Sequence, residues 1–256
     1  MTPVRGLLLD IGGVVLRNAA TLMAVLARQD PRLAAEIARL GVATARDDLW
    51  QRMLAHEVAE RAYWSQRAGE LGTVVGEQWD TRELINRIYD SPPEDWLVPE
   101  VDELMRDAKA AGIPLGALTN DLEDFHGREW VERQDWLKVF DVVVDASITK
   151  ILKPDPRAYA LGAEALGLAP GEIVYLDDMP WNVAGGVVAG LQSIQVGHDD
   201  PAPAVAEARQ RLGLAPSERP TSSERPMSPE RPTSPERLTS SERLTSSERL
   251  TSSERK

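Results

Sequence analysis

Four short apolar runs constrain the fold of this chain more than any other feature. They cover Val4–Leu9, Ile113–Leu118, Val139–Val144 and Ile173–Leu176, and a weaker fifth run covers Ser193–Val196. Helical patterns stand between the later runs, at Pro99–Ala111, Leu122–Gln134, Pro156–Leu166 and after Pro180. Apolar strands that alternate with helices are typical of a parallel sheet covered on both faces. The sequence therefore predicts an α/β fold, with a doubly wound, Rossmann-like parallel sheet.

The interval between the first and second runs differs from the rest of the chain. Residues 18–96 contain no good strand pattern, only helical patterns near 19–40, 44–57, 59–71 and 81–89. Thr44 and Asp47 resemble a capping pair for the second of these helices. We therefore expect an α/β core formed by residues 1–17 and 97–213, with an all-helical cap at 18–96 inserted after the first strand.

The C-terminal segment has a different composition. From Glu218 the sequence repeats a six-residue unit, such as ERPTSS or ERLTSS, with one acid, one base and several hydroxyls. Such units bury too little apolar surface to offset the entropy lost on ordering. Residues 214–256 are therefore predicted to be a disordered hexapeptide-repeat tail.

Charge and composition exclude several classes of function. A formal net charge of −12 disfavours a nucleic-acid partner, because nucleic-acid binders need a basic face. The chain has no cysteine, so disulfides, thiol catalysis and thiolate metal sites are excluded. No apolar stretch approaches the roughly 18 residues of a membrane span, and the N-terminus resembles a strand rather than a signal peptide. We expect a cytoplasmic protein with no membrane partner; its oligomeric state is not predicted.

Polar side chains follow the predicted strands at the points where those strands end. They are Asp10 after the first strand, Thr119 and Asn120 after the second, Lys153 some distance after the third, and Asp177 and Asp178 after the fourth. In an open parallel sheet, ligands bind beyond the carboxyl ends of the strands. We therefore expect these side chains to converge on one crevice.

This set of side chains supports phosphoryl transfer. A carboxylate can attack phosphorus and form an aspartyl-phosphate, clustered carboxylates bind Mg²⁺, and a lysine with neutral donors can hold the phosphoryl oxygens. The residues that fit these roles are Asp10 and Asp178 as metal ligands, Lys153 as the fixed positive charge, and Thr119 and Asn120 as donors. Gly12 and Gly13 would let the backbone approach the phosphate closely.

The order of the motifs D-x-G-G-V, T-N, K-P-D-P and D-D-x-x-x-N resembles that of the haloacid dehalogenase superfamily of hydrolases, over about residues 4–200. The resemblance implies that Asp10 is the nucleophile and also a Mg²⁺ ligand. It implies that Thr119 contacts the transferred phosphoryl group, with Asn120 beside it. It further implies that Lys153, rather than Lys150, is the motif lysine, because K-P-D-P is the phrase that matches.

The resemblance also assigns the rest of the metal site. It implies that Asp178 is a metal ligand, with Asp177 and Asn182 in support, and that the backbone carbonyl of Gly12 is a further Mg²⁺ ligand. The helical insert at 18–96 resembles the cap of this family, which selects the substrate.

One position departs from the family pattern. Phosphatases of the family typically read D-x-D, and the second Asp protonates the leaving group and later activates water. Here that position is Gly12. General acid–base help is typically worth about 10²–10⁴-fold in rate, so its absence leaves open what protonates the leaving group.

The expected function is therefore a Mg²⁺-dependent phosphatase acting on a small, sugar phosphate-like phosphomonoester through an aspartyl-phosphate on Asp10. Three alternatives stay open: an enzyme for good leaving groups such as acyl phosphates, a 2-haloacid dehalogenase-type hydrolase, or a catalytically weak phosphate-ligand-binding domain. A halide leaves without a proton, which suits Gly12. The acidic fourth motif at Asp178 argues against dehalogenation, because displacement of a halide from carbon has little need of Mg²⁺.

Overall fold

The computed structural model describes residues 3–217, so the predicted repeat tail from Glu218 onward lies outside the described residues. Within them, five parallel strands form one sheet in the order β3-β2-β1-β4-β5. The strands are β1 (Gly6–Leu9), β2 (Leu115–Thr119), β3 (Val142–Asp145), β4 (Ile173–Asp177) and β5 (Gln192–Gln195). The predicted α/β fold with a parallel sheet is confirmed.

Strand β1 lies at the centre of the sheet and is buried on both faces. Leu7 and Leu9 belong to the core on one face, whereas Leu8 packs in a second core on the other. All three residues have no solvent exposure. A strand buried on both faces needs no polar alternation, which explains why this run is continuously apolar.

The insert after β1 folds as five helices. They are α1 (Ala19–Ala27), α2 (Pro31–Leu40), α3 (Asp48–Leu54), α4 (Glu60–Val75) and α5 (Thr81–Ile88). Residues 18–96, all of them described, contain no strand, as predicted. The pattern near 19–40 is two helices rather than one, because Asp30 caps a new helix that begins at Pro31.

The two ends of this insert lie side by side. The amide of Arg17 donates to the carbonyl of Trp96 at 2.7 Å, and the amide of Val98 donates to the carbonyl of Val15 at 2.9 Å. The chain therefore leaves and rejoins the sheet at one place. That residues 18–96 act as a separate cap domain stays a prediction.

Seven helices follow in the described part of the chain. They are α6 (Pro99–Ala110), α7 (Leu122–His126), α8 (Arg128–Glu132), α9 (Ala146–Thr149), α10 (Pro156–Leu166), α11 (Pro180–Val188) and α12 (Ala202–Leu212). Residues of α6 and α12 pack with Leu7 and Leu9, and residues of α10 pack with Leu8, so helices cover both faces of the sheet. Within residues 3–217, no helix is long and apolar enough to cross a membrane.

The prediction of a single helix at Leu122–Gln134 is wrong. Gly127 adopts a φ of 85° and separates α7 from α8, and the chain continues in a 3₁₀ turn at Asp135–Val139. Glycine reaches positive φ at little cost, which makes it a natural break between two short helices.

The predicted capping pair is also wrong in its details. Asp47 alone caps α3, since its carboxylate accepts hydrogen bonds from the amides of Leu49 at 3.0 Å and Trp50 at 3.1 Å. The Thr44 hydroxyl instead donates to the carbonyl of Gly41 at 2.6 Å. Asp47 also forms a buried ion pair with Arg67, which ties α3 to α4.

Candidate active site

The side chains predicted to converge do so at the carboxyl ends of the central strands. Asp10 follows β1 directly, Thr119 ends β2, and Asp177 ends β4 with Asp178 next. The ammonium Nζ of Lys153 lies 2.9 Å from Asp10 Oδ1 and 2.7 Å from Asp177 Oδ2. The lysine therefore bridges the ends of two neighbouring strands.

Asp177 uses both of its oxygens inside the protein. Its Oδ2 accepts from Lys153 and from the hydroxyl of Tyr175. Its Oδ1 accepts from the amide of Met179 at 2.9 Å and from Asn182 Nδ2 at 3.2 Å. Four donors occupy the roughly four acceptor sites of a carboxylate. Asp177 and Asn182 are thus placed to position Lys153, and their predicted supporting role at the metal site stays a prediction.

Asn120 holds the segment that carries the lysine. Its Oδ1 accepts from the backbone amide of Lys153 at 2.8 Å, and its Nδ2 donates to the backbone carbonyl of Lys153 at 3.2 Å. Both ends of the amide are therefore engaged with the lysine backbone. This geometry supports a positioning role, and the substrate-binding role of Asn120 stays a prediction.

The two glycines after Asp10 lie in very different surroundings. Gly13 has a φ of 73°, and a Cβ there would lie 2.2 Å from Asp178 Oδ2. Only glycine fits that position, because the turn approaches the Asp178 carboxylate directly. A Cβ at Gly12 would meet no described atom within 4 Å. Gly12 therefore opens onto free space beside the carboxylates.

The site brings three buried carboxyl groups together with the ammonium of Lys153. One oxygen from each of Asp10, Asp177 and Asp178 lies within 4.8 Å of the others. Burial raises the pKa of Asp10 to about 7 even though Lys153 opposes the shift, and Asp177 adds to it. Burial, followed by the charges of Asp177 and Asp10, raises the pKa of Asp178 well above its usual value. One ammonium does not balance three buried carboxylates.

A divalent cation fits this arrangement. Mg²⁺ takes carboxylate and carbonyl oxygens, and its charge would offset the repulsion within the cluster. Because Asp177 is fully engaged, Asp10 and Asp178 are the carboxylates that could hold the ion. The Gly12 carbonyl, which the family resemblance implies as a further ligand, stays a prediction.

A cavity of about 620 Å³ lies over these strand ends. Its floor includes Asp10, Thr119 and Lys153, and the helical insert supplies much of its wall. Apolar side chains dominate that wall, among them Leu22, Met23, Trp50, Leu54, Trp64 and Ile85. The insert is therefore placed to contact whatever binds at the carboxylates.

Sequence reasoning did not select Glu60, which the structure places in this cavity. Glu60 begins α4 in the insert, where no motif spacing marks a role for it. His126 also lines the cavity; it lies close after Thr119 in the chain, which is the one signal that could have pointed to it. It stacks on Trp130 with ring centroids 3.9 Å apart.

Comparison with known proteins shows that the sequence matches a protein family. A family model described as haloacid dehalogenase-like hydrolase matches residues 4–190. A phosphoglycolate phosphatase of Shigella boydii is 28% identical over 203 residues, covering 75% of this chain and 80% of the relative. An (S)-2-haloacid dehalogenase 4A of Burkholderia cepacia is 24% identical over 191 residues, covering 75% of this chain and 79% of the relative.

Two further matches bear on length and fold. A mouse protein, acyl-CoA dehydrogenase family member 10, is 25% identical over 224 residues; the match covers 84% of this chain but 20% of that much longer protein. The crystal structure of a phosphatase from Thermococcus onnurineus aligns with a TM-score of 0.54 at 20% identity, covering 84% of this chain and 100% of that one. At this identity the structural match shows a shared fold.

Proposed function

The chain belongs to the haloacid dehalogenase-like hydrolases, and from this premise we propose that it is a Mg²⁺-dependent phosphatase that hydrolyses a small phosphomonoester through an aspartyl-phosphate on Asp10. The observation that carries the proposal is the buried cluster of Asp10 and Asp178 beside Lys153. Its clustered carboxyl oxygens suit a cation, which would favour their ionised forms, and a cation suits an anionic phosphate ester. Displacement of halide from carbon gives no such reason to keep Asp178.

The proposed reaction has two steps. An oxygen of Asp10 attacks phosphorus, the bond from phosphorus to the ester oxygen breaks, and the departing alkoxide takes up a proton. Water then attacks the phosphorus of the aspartyl-phosphate, which releases phosphate and restores the Asp10 carboxylate. Lys153 offers its positive charge to the phosphoryl oxygens, and Thr119 offers a hydroxyl donor. When bound, Mg²⁺ would supply the additional positive charge that lets two anions approach each other.

Dehalogenation of a 2-haloacid is the second candidate. Gly12 favours it, because a halide departs without a proton, and so does the similarity to the Burkholderia cepacia dehalogenase. In that reaction the attack of Asp10 on carbon would release halide, and water would hydrolyse the resulting ester. The two candidates therefore differ in what is released and in whether Mg²⁺ is needed.

The experiment is a substrate panel with matched variants. Aryl, acyl, alkyl and sugar phosphates are assayed for phosphate release, and 2-chloropropionate for chloride release, each with Mg²⁺ and with a chelator. Asp10→Asn is compared with Asp102→Asn, which alters a partly exposed acid that pairs with Arg106. We expect Mg²⁺-dependent phosphate release that Asp10→Asn abolishes and Asp102→Asn leaves intact. Chloride release without phosphate release would instead favour the dehalogenase, and activity that survives Asp10→Asn would reject both.

A further inference from the structure

The proposed phosphatase lacks an assigned source for the proton that its leaving group needs. The position where a second aspartate would stand is Gly12, which has no side chain and faces open space among the described residues. An alkoxide is a poor leaving group, so a proton donor elsewhere in the cavity is needed for ordinary alkyl esters. The inference below rests on the proposed function and identifies that donor.

Six titratable side chains line the cavity besides Asp10, Arg17, Lys153 and Asp178. They are Glu60, Tyr89, Asp121, His126, His198 and Asp199. A proton donor must carry its proton near neutral pH and must give it up readily. Each candidate can be judged on its burial and its partners.

Two of the candidates, His126 and Tyr89, are poor proton donors near neutral pH. Burial lowers the pKa of His126 to about 3, so its ring is neutral near pH 7 and has no acidic proton to give. Burial raises the pKa of Tyr89, so its hydroxyl is a weaker acid than an ordinary tyrosine. Neither group suits protonation of a departing alkoxide.

Ion pairing and exposure argue against three others. Burial raises the pKa of Asp121, but its carboxyl group is already engaged in an ion pair with Arg61. Asp199 is exposed to solvent. His198 has 45% of its side chain exposed, and its Nδ1 lies 3.8 Å from Asp178, a carboxyl group already assigned to the cation.

Glu60 has the surroundings of a carboxyl group that keeps its proton. Within residues 3–217 it has no ion-pair partner, and its side chain is contacted by Trp64, whose Nε1 donates to Glu60 Oε1 at 3.4 Å. The charged groups nearest to it are the acids Asp121, Asp177 and Asp178 and the ammonium of Lys153. Asp10 and Arg17 also line the cavity. Burial and the neighbouring acids raise the pKa of Glu60.

We propose that Glu60, reaching into the cavity from helix α4, is the general acid of this enzyme and replaces the donor that is missing at Gly12. In the first step its carboxyl proton passes to the alkoxide as the bond to phosphorus breaks. The resulting Glu60 carboxylate then regains a proton from solvent, to which the water that attacks the aspartyl-phosphate gives up one. The carboxyl group is thereby restored, and protons balance over the cycle.

The test compares leaving groups that differ in their need for a proton. Glu60→Gln keeps the size of the side chain and removes the acidic proton. With Mg²⁺ present, we expect kcat for butyl phosphate to fall by about 10²–10⁴-fold, because general acid help is lost. For 4-nitrophenyl phosphate, whose anion leaves unaided, we expect a change within a few-fold. Glu57→Gln, which alters an exposed acid three positions earlier, is the matched control and should change neither rate.

The pH profile of the unmodified enzyme gives a second readout that needs no variant. Because Glu60 must be protonated, turnover of butyl phosphate should decline as pH rises past the pKa of that group, whereas turnover of 4-nitrophenyl phosphate should not. Identical profiles for the two esters would overturn the assignment.

Three further outcomes would overturn it. Glu60→Gln could slow both esters equally, which indicates a structural role, or could slow neither. His198→Asn could produce the selective loss on butyl phosphate that is expected of Glu60→Gln. An unmodified enzyme that hydrolyses no phosphate ester would instead reject the proposed function, and the assignment would fall with it.

Discussion

Gly12 and Gly13 are neighbours in the chain, yet only one of the two positions has room for a side chain. A side chain at Gly13 would collide with Asp178, whereas one at Gly12 would enter open space. Gly12 also has ordinary extended dihedral angles, with φ at −68° and ψ at 131°, that any residue adopts. The glycine at 12 is therefore not required by the backbone, which makes it a position where a function can be added.

We predict that Gly12→Asp restores a D-x-D motif without disturbing the fold. Introduced into the Glu60→Gln variant, the new carboxyl group would lie beside Asp10 and could protonate the leaving group, so turnover of butyl phosphate should rise by about tenfold or more over that of Glu60→Gln alone. The measurement is kcat for butyl and 4-nitrophenyl phosphates at saturating Mg²⁺. An unchanged or lower rate with butyl phosphate, in a variant that still hydrolyses the aryl ester, would contradict the prediction.

Gly13→Ala is the matched comparison for that variant. A Cβ at position 13 meets the Asp178 carboxylate, and the positive φ adds a cost of about 1–3 kcal/mol. We expect this variant to lose stability and Mg²⁺-dependent activity together. Normal activity in Gly13→Ala would show that the close approach to Asp178 does not matter.

At the residue scale, the sequence predicts which side chains lie at the site but not which hydrogen bonds they form. Asp10, Thr119, Lys153 and Asp178 follow from strand ends and motif order, and the structure brings them together. The four hydrogen bonds that occupy Asp177 come from three side chains and one backbone amide, and one of the donors, Lys153, lies 24 residues away in the chain, so no local pattern contains them. Glu60 lies in an insert helix far along the chain from any motif, and tertiary packing alone brings it into the cavity.

Helices α3 and α4 are held together by a buried polar cluster. The Asp47 side chain has no exposure and that of Arg67 has 6%, and the two form an ion pair. The hydroxyl of Tyr63 also donates to Asp47 Oδ2 at 2.8 Å, and the amide of Ala43 donates to the same oxygen at 3.1 Å. One carboxylate thus organises the part of the insert that forms the cavity wall.

We predict that Asp47→Ala destabilises the protein by about 3–5 kcal/mol, because it leaves the Arg67 charge buried without its main partner. The measurement is the free energy of unfolding from chemical denaturation. The control is Asp102→Ala, which breaks an exposed ion pair with Arg106 and should cost less than about 1 kcal/mol. Equal losses in the two variants would contradict the importance assigned to the buried pair.

At the element scale, the sequence predicts the type of most elements better than their ends. Pro156–Leu166 is found with the bounds that its pattern predicts, since proline starts it and glycine follows it. The pattern near 19–40 merges two helices because apolar periodicity continues across Asp30 and Pro31. The pattern at Leu122–Gln134 also merges two helices, because a single residue, Gly127, separates them.

At the scale of the whole molecule, one buried histidine links stability to pH. Burial depresses the pKa of His126 to about 3 in the folded state, against an ordinary value of 6.5. The folded protein therefore binds this proton less readily than the unfolded chain. The contribution of His126 to stability is fully present above about pH 6.5 and is lost as pH falls toward 3.

We predict that His126→Phe, which keeps an aromatic ring against Trp130, removes this dependence. For one such group the loss is about 2 kcal/mol between pH 7.5 and 5, from roughly 1.4 kcal/mol per pH unit below the unfolded pKa. The measurement is the free energy of unfolding at several pH values for both proteins. Parallel curves for the two proteins would show that His126 is not buried as a neutral ring.

The overall architecture was the most predictable feature, because it depends on long-range regularities of the sequence. Continuous apolar runs between helices specify a covered parallel sheet, and the long helical interval after the first run specifies an insert. The strand order and the closure of the insert over the strand ends depend on contacts between distant segments. In the proposed mechanism, the nucleophile lies at the end of a sheet strand and the proton donor lies in the insert, so the reaction depends on the same long-range contacts.

The most direct test of that account is whether Asp10 becomes phosphorylated during turnover. The enzyme is mixed with excess phosphate ester and Mg²⁺, quenched in acid within one turnover, digested, and analysed by mass spectrometry. The account predicts a phosphoryl group on the peptide that contains Asp10, absent when Mg²⁺ is chelated and absent from Asp10→Asn. Phosphate release with no phosphorylated Asp10, or a phosphoryl group on another residue, would contradict it.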